Sequence, residues 1–179
     1  MVPMRADALR NRESLLRSAA ELFAAEGSGV PLESIARHAG VGIGTLYRHF
    51  PTRETLVGEV YGNEITQLGA VAGLLGGHTA AEALDAWVTR FVDYARTKRA
   101  LADLLHAMPP GSTPAARETI VEALDTILTA GARDGTLRND MDAEDVLSAL
   151  SGVWSSPAGP DWERRAARLG RFVVDGLRS

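Results

Sequence analysis

Between positions 43 and 53 the chain reads IGTLYRHFPTR, which gathers a hydroxyl at Thr45, a phenol at Tyr47, an imidazole at His49 and guanidinium groups at Arg48 and Arg53. The set is rich in hydrogen-bond donors, and the chemistry it offers is recognition of phosphate and of base edges rather than bond making. Arg48 presents a planar fork that matches phosphate or guanine O6 and N7; the bland alternative is an ordinary solvated arginine. Tyr47 is either a half-buried packing residue or a phosphate contact. His49 can donate to a phosphate or stand as a lone surface histidine. Thr45 can reach a phosphate or base edge with its hydroxyl, or only pack its methyl. Gly44 carries no side chain and lets another backbone come close, at a cost in helix propensity.

These residues need two short helices to hold them. Leu32, Ile35, Ala36 and Ala39 recur at helical spacing, and Glu33 suits the positive end of that helix. Gly40 stops it, since glycine takes the left-handed conformation past a helix end without penalty, and Val41 is placed to fold back on the core. A second helix is expected over about Ile43 to Phe50, with Gly42 as N-cap. Leu46 and Phe50 share one face and leave Thr45, Tyr47, Arg48 and His49 on the others. Upstream, RNRESLLRSAAELFAAEG predicts a supporting helix with Leu15, Leu16, Ala19, Leu22 and Phe23 as its apolar stripe. The pattern is a helix-turn-helix over about residues 31–50.

The segment AGVGIGTLYRHFPTRETL, with its preceding helix, resembles the helix-turn-helix of the tetracycline-repressor (TetR/AcrR) family of transcription factors. The resemblance implies an all-α fold of about nine helices, with a DNA-binding head over residues 1–56 and an effector-binding and dimerisation body over 57–179. It implies DNA contacts from Ile43, Gly44, Thr45, Tyr47, Arg48, His49 and Arg53. Tyr47 and Arg53 stand where the family has phosphate contacts. Ile43 departs from the polar or basic residue more common there, so it either meets a thymine methyl or packs under the turn. The implied function is a homodimeric regulator, most often a repressor, released from a palindromic operator by a small-molecule effector.

Bulk composition bounds the alternatives. With 179 residues and 45% hydrophobic content, the chain can bury a real core. No apolar run approaches the roughly 20 residues that span a bilayer, and MVPMRADALRNRE lacks a signal-peptide core, which points to the cytoplasm. Absence of cysteine removes thiolate chemistry. The histidines form no metal-ligand spacing, and no phosphate-binding glycine loop or G-x-S-x-G is present, so neither an enzyme, a metal nor a cofactor is expected. A net charge of -4 argues against nucleic acid only until the charges are placed. Residues 1–56 carry seven Arg against six acids, and the negative excess lies in the remainder.

The body reads as further amphipathic helices. Thr52 is the expected N-cap of a long helix that runs to Gly76-Gly77, followed by segments at about 80–97, 99–108, 114–133, 143–154 and 161–177. Trp87, Phe91, Tyr94, His106, Met108 and Trp154 are candidates for a small-molecule pocket, with ordinary core as the alternative for each. The resemblance implies that the last two segments, about 143–177, form the homodimer interface, while their sequence alone also fits a monomeric core.

Overall fold

The structure, a computed structural model, describes residues 3–109, 111, 116–152, 159 and 161–179. The expected Trp154 position lies outside the described residues. Among the described residues the helices are α1 (Pro3–Glu26), α2 (Leu32–His38), α3 (Ile43–His49), α4 (Arg53–Gly69), α5 (Ala72–Leu75), α6 (Ala80–Ala100), α7 (Ala102–Ala107), α8 (Ala116–Asp134), α9 (Ala143–Leu150) and α10 (Trp162–Leu177). Among the described residues the one strand-like pairing is an isolated antiparallel bridge between Leu137 and Arg178. The fold is all-α, as the apolar periodicity predicts. Nine of the helices match expected segments, and α5 is an additional single turn.

That turn marks where one expectation fails. The long helix stops at Gly69 instead of continuing to Gly76-Gly77, and the Val71 N–H donates to Gly69 O at 2.9 Å in place of a helical bond. Glycine at 69 and 73 removes the propensity that would carry the helix through, and Gly77 turns the chain with φ of +84°.

Two compact units are distinguished by their internal contacts, Met1–Asn63 with Thr97–Thr113, and Glu64–Arg96 with Pro114–Ser179. In the first, Leu15, Ala19, Phe23, Ile35, Leu46, Phe50, Leu56 and Val57 form one buried cluster. Leu101 belongs to the same cluster, and Leu104, Leu105 and Met108 pack against it. The stretch after residue 97, assigned to the body on sequence grounds, thus shares the core of the helix-turn-helix. Met108 ends α7 in an extended conformation with ψ of 146°, as the following Pro109 requires.

The second unit is built around α6. Leu84, Trp87, Phe91 and Ala95 are fully buried, Trp87 stacks on Phe91 at 5.5 Å, and the Trp87 indole N–H donates to Leu68 O at 2.9 Å. The N-terminus of α6 is capped twice. Thr79 and Glu82 exchange bonds as a capping box, with Thr79 N–H to Glu82 Oε2 at 2.8 Å and Glu82 N–H to Thr79 Oγ1 at 3.3 Å. Asp134 accepts from Ala80 N–H at 2.8 Å, and Thr136 Oγ1 accepts from Ala81 N–H at 3.2 Å.

Candidate nucleic-acid interface

The turn between α2 and α3 is held by main-chain bonds. Gly40 takes φ of +72°, its N–H donates to Arg37 O at 3.1 Å, and Val41 N–H reaches back to Ala36 O at 3.0 Å. This pair of bonds is a Schellman motif, and Val41 packs against the head core as expected. Gly42 then caps α3, its carbonyl accepting from Thr45 N–H at 2.9 Å.

Two α3-region side chains anchor it, Leu46 at 0% exposure and Phe50 at 1%. Opposite them, Tyr47 stands 46% exposed although it is a large aromatic residue, and Arg48 is exposed beside it. The Arg48 guanidinium lies back along its own helix, donating from Nε to Gly44 O at 3.3 Å and from Nη2 to Thr45 Oγ1 at 3.0 Å. Thr45 and His49 are half-buried, and His49 lies 6.1 Å from the Phe50 ring centre. Gly44 is exposed, and a Cβ built there meets no atom within 4 Å. Ile43 is half-buried and packs against the head core, which favours packing under the turn over a free apolar contact.

Arg53 is placed differently from its neighbours. Its guanidinium donates to Ser28 O at 2.9 Å and Val30 O at 2.7 Å, so it clamps the start of α4 to the loop between α1 and α2. The sequence missed three further supports, all pairing residues far apart in the chain. Arg12 sits 5.6 Å from the Phe50 ring centre and contacts Glu59 at 2.5 Å. Ser14 Oγ donates to Ala39 O at 3.1 Å, and the buried Ser18 hydroxyl bonds His38 Nδ1 at 3.0 Å. No spacing rule links these positions.

Comparison with known proteins agrees with this geometry. Residues 15–60 match the family described as "Bacterial regulatory proteins, tetR family", and residues 79–179 match "Transcriptional regulator SbtR-like, C-terminal domain". A TetR transcriptional regulator of Streptomyces coelicolor is 44% identical and superposes with a TM-score of 0.84 over 93% of this chain and 98% of that one. The chain belongs to the TetR family of transcriptional regulators. A TetR regulator from Mycobacterium vanbaalenii is similar over 99% of this chain and 100% of its own, at 35% identity and a TM-score of 0.79. The transcriptional repressor KstR2 of Rhodococcus jostii is 28% identical over 94% of this chain and 91% of its own length. A helix-turn-helix-type regulator of Staphylococcus aureus matches over only 54 residues, at 43% identity, so this chain spans 29% of that protein's length.

TetR-family regulators bind DNA and small-molecule effectors, are typically dimeric, and are not enzymes. No helix among the described residues is long and apolar enough to cross a membrane. The described members of the expected effector set are divided between the two units. Trp87, Phe91 and Tyr94 lie in the second unit at 0%, 0% and 1% exposure and make its aromatic core. Met108 packs on the head core, with its Cε 3.2 Å from a Cβ built at Gly58. Of the six, His106 alone borders a described cleft, which is lined by Tyr61, Lys98, Ala102, Leu105 and His106.

Proposed function

We propose that this protein is a homodimeric, effector-responsive repressor that sets α3 of each subunit into successive major grooves of a near-palindromic operator. The observation that carries the reading is the division of labour on α3. Leu46 and Phe50 fix the helix while Tyr47 and Arg48 are left exposed around an open Gly44. In this reading Arg48 and Tyr47, with Thr45 and His49, contact the phosphate backbone and adjoining base edges, and Gly44 permits close approach. Ile43 and Arg53 act by positioning the helix.

Two-fold symmetry asks for half-sites about 34–36 Å apart, one helical turn, or a comparable spacing. The dimer surface is assigned to residues 143–177, where α10 leaves Phe172 77% exposed and Leu169 37% exposed. Functionally the chain divides into a head over 1–56 and a body over 57–179. As a regulator of DNA it works in the cytoplasm. Effector binding favours a head separation that does not fit the operator, and a hundredfold loss of affinity requires about 2.7 kcal/mol of coupling.

The deciding experiment is selection of bound fragments from genomic DNA with purified protein. Recovery of one shared palindrome gives operator, symmetry and spacing together. Recovery of unrelated fragments with no common motif would sink the specific-repressor reading.

A further inference from the structure

The cleft lined by Tyr61, Lys98, Ala102, Leu105 and His106 has a volume of about 200 Å³. All five residues belong to the first unit, the one that contains the helix-turn-helix. Tyr61 lies on α4, the helix that follows α3 directly, whereas Lys98 lies in the last turn of α6 and the other three lie on α7.

The lining is chemically one-sided. It brings together an ammonium, an imidazole and a phenol over the apolar surface of Ala102 and Leu105, and holds no carboxylate. Lys98 is the sole lysine among 19 basic residues, so an ammonium at this place is not one of many interchangeable surface cations. Lys98 is exposed at the cleft, and partial loss of hydration holds its ammonium below the ordinary lysine value. The His106 Nδ1 lies 2.6 Å from Ala102 O; a carbonyl only accepts, so Nδ1 carries the proton and the Nε2 edge is turned elsewhere. The volume falls below the roughly 300–1,000 Å³ of pockets for drug-sized ligands, which restricts an occupant to a small molecule.

We infer that this cleft binds a small amphipathic organic carboxylate, its anionic end at Lys98, with Tyr61 and His106 flanking it and its carbon skeleton against Ala102 and Leu105. The inference rests on the effector-responsive reading above and gives the effector a chemical class. It also gives the ligand a direct handle on DNA binding, because Tyr61 and Arg53 lie on the same helix, and Arg53 clamps that helix to the α1–α2 loop.

The single lysine makes the test clean. Reductive methylation of the 179-residue chain with labelled formaldehyde marks Lys98 and the terminal amine only, and methylation keeps the positive charge. Titration with butyrate, hexanoate and benzoate, each paired with its neutral amide, is followed by the dimethyl-Lys98 NMR signal. A saturable shift with at least one carboxylate, absent with its amide and with sulfate, is expected. In unmethylated protein, Lys98→Met should weaken that binding about tenfold or more by calorimetry while Lys98→Arg retains it. Lys98→Met keeps the aliphatic stem, and the NMR arm decides the matter even if that variant folds poorly. No shift with any of the carboxylates, or an equal shift with sulfate, overturns the site. Operator binding is measured in parallel. Carboxylate binding without any change in operator affinity would leave the cleft a carboxylate site and remove it as the effector site, whereas operator release without a Lys98 shift would place the effector elsewhere and overturn this assignment.

Discussion

Arg48 and Gly44 make opposite contributions to the same surface. Arg48 supplies a cation whose described bonds stay within α3, so replacing it leaves the head core untouched. Arg48→Ala should therefore keep helicity and the melting temperature while costing about 1–3 kcal/mol in operator binding and reducing the salt slope by about one. Filter binding across a salt series checks both. Gly44 contributes by having no side chain. Its built Cβ meets nothing in the protein, and alanine gains about 0.5–1 kcal/mol of helix propensity. Gly44→Ala should raise or preserve thermal stability and still lower operator affinity. A variant that binds the operator as tightly as the parent would show that no phosphate backbone comes close at this position.

Arg53 behaves differently, since its guanidinium already bonds two main-chain carbonyls. Arg53→Met should reduce folding stability by about 1–3 kcal/mol, in line with charge-assisted bonds to neutral acceptors, and should leave the salt slope of DNA binding unchanged. Denaturant unfolding separates this outcome from a phosphate role, for which the slope falls and stability holds.

At the scale of the helices, what could be read in advance was what local rules govern. The left-handed Gly40, the fold-back of Val41 and the Thr52 cap all follow from residue type and a spacing of a few positions. Thr55 N–H does donate to Thr52 Oγ1, at 3.1 Å. The early end of α4 was not legible, because four glycines in one apolar pattern lower helix propensity everywhere without fixing where the break falls. Nor was the role of Leu101, Leu104 and Leu105, whose periodicity announces a buried face but not which core it joins. The aromatic run on α6 shows the same limit from the other side. Trp87, Phe91 and Tyr94 have the composition of a pocket wall and are buried, with the Trp87 indole donor satisfied by Leu68 O, and their periodicity serves a pocket wall and a packed core alike. The final helix buries the register Trp162, Ala166, Gly170, Val174 and Leu177 and leaves Leu169 and Phe172 exposed, and Gly170 is required because a Cβ there would lie 2.6 Å from Val88 Cγ1.

For the whole molecule, that register leaves a large aromatic ring outside. If α10 forms the proposed dimer surface, Phe172→Glu should convert the dimer to monomer, or weaken it by at least about tenfold, because a charge would replace apolar area assigned to that interface. Analytical ultracentrifugation of the variant at unchanged helicity reads the result, and an unaltered dimer would move the interface off α10. Acid stability is set by several carboxylates at once. Hydrogen bonds hold Glu82 and Asp134 at the N-terminus of α6, and Glu54 at that of α4, below their ordinary values of 4.5, 3.8 and 4.5. Such groups contribute stability above those ordinary values and lose it as pH falls through the lower folded-state ones. Glu64 has the opposite sign: burial, reinforced by Asp93, raises it despite the nearby Arg96. Its contribution is complete below 4.5 and is lost as pH rises through the folded-state value. Glu64→Gln should therefore be more stable than the parent at pH 7, with the difference closing as the solution is acidified below about 4.5. Thermal melts across that range would show it, and a difference independent of pH would assign the effect to packing.

The Schellman turn at Gly40 has a consequence for how such a protein acquires new targets. Because main-chain bonds from Gly40 and Val41 set the angle at which α3 leaves α2, no outward-facing side chain of α3 takes part in fixing it. Substitutions at 44, 45, 47 and 48 can then be explored by mutation without first rebuilding the scaffold that presents them. A gene duplicate could change its operator in single steps, each still folded, with Gly40 as the position that drift must spare.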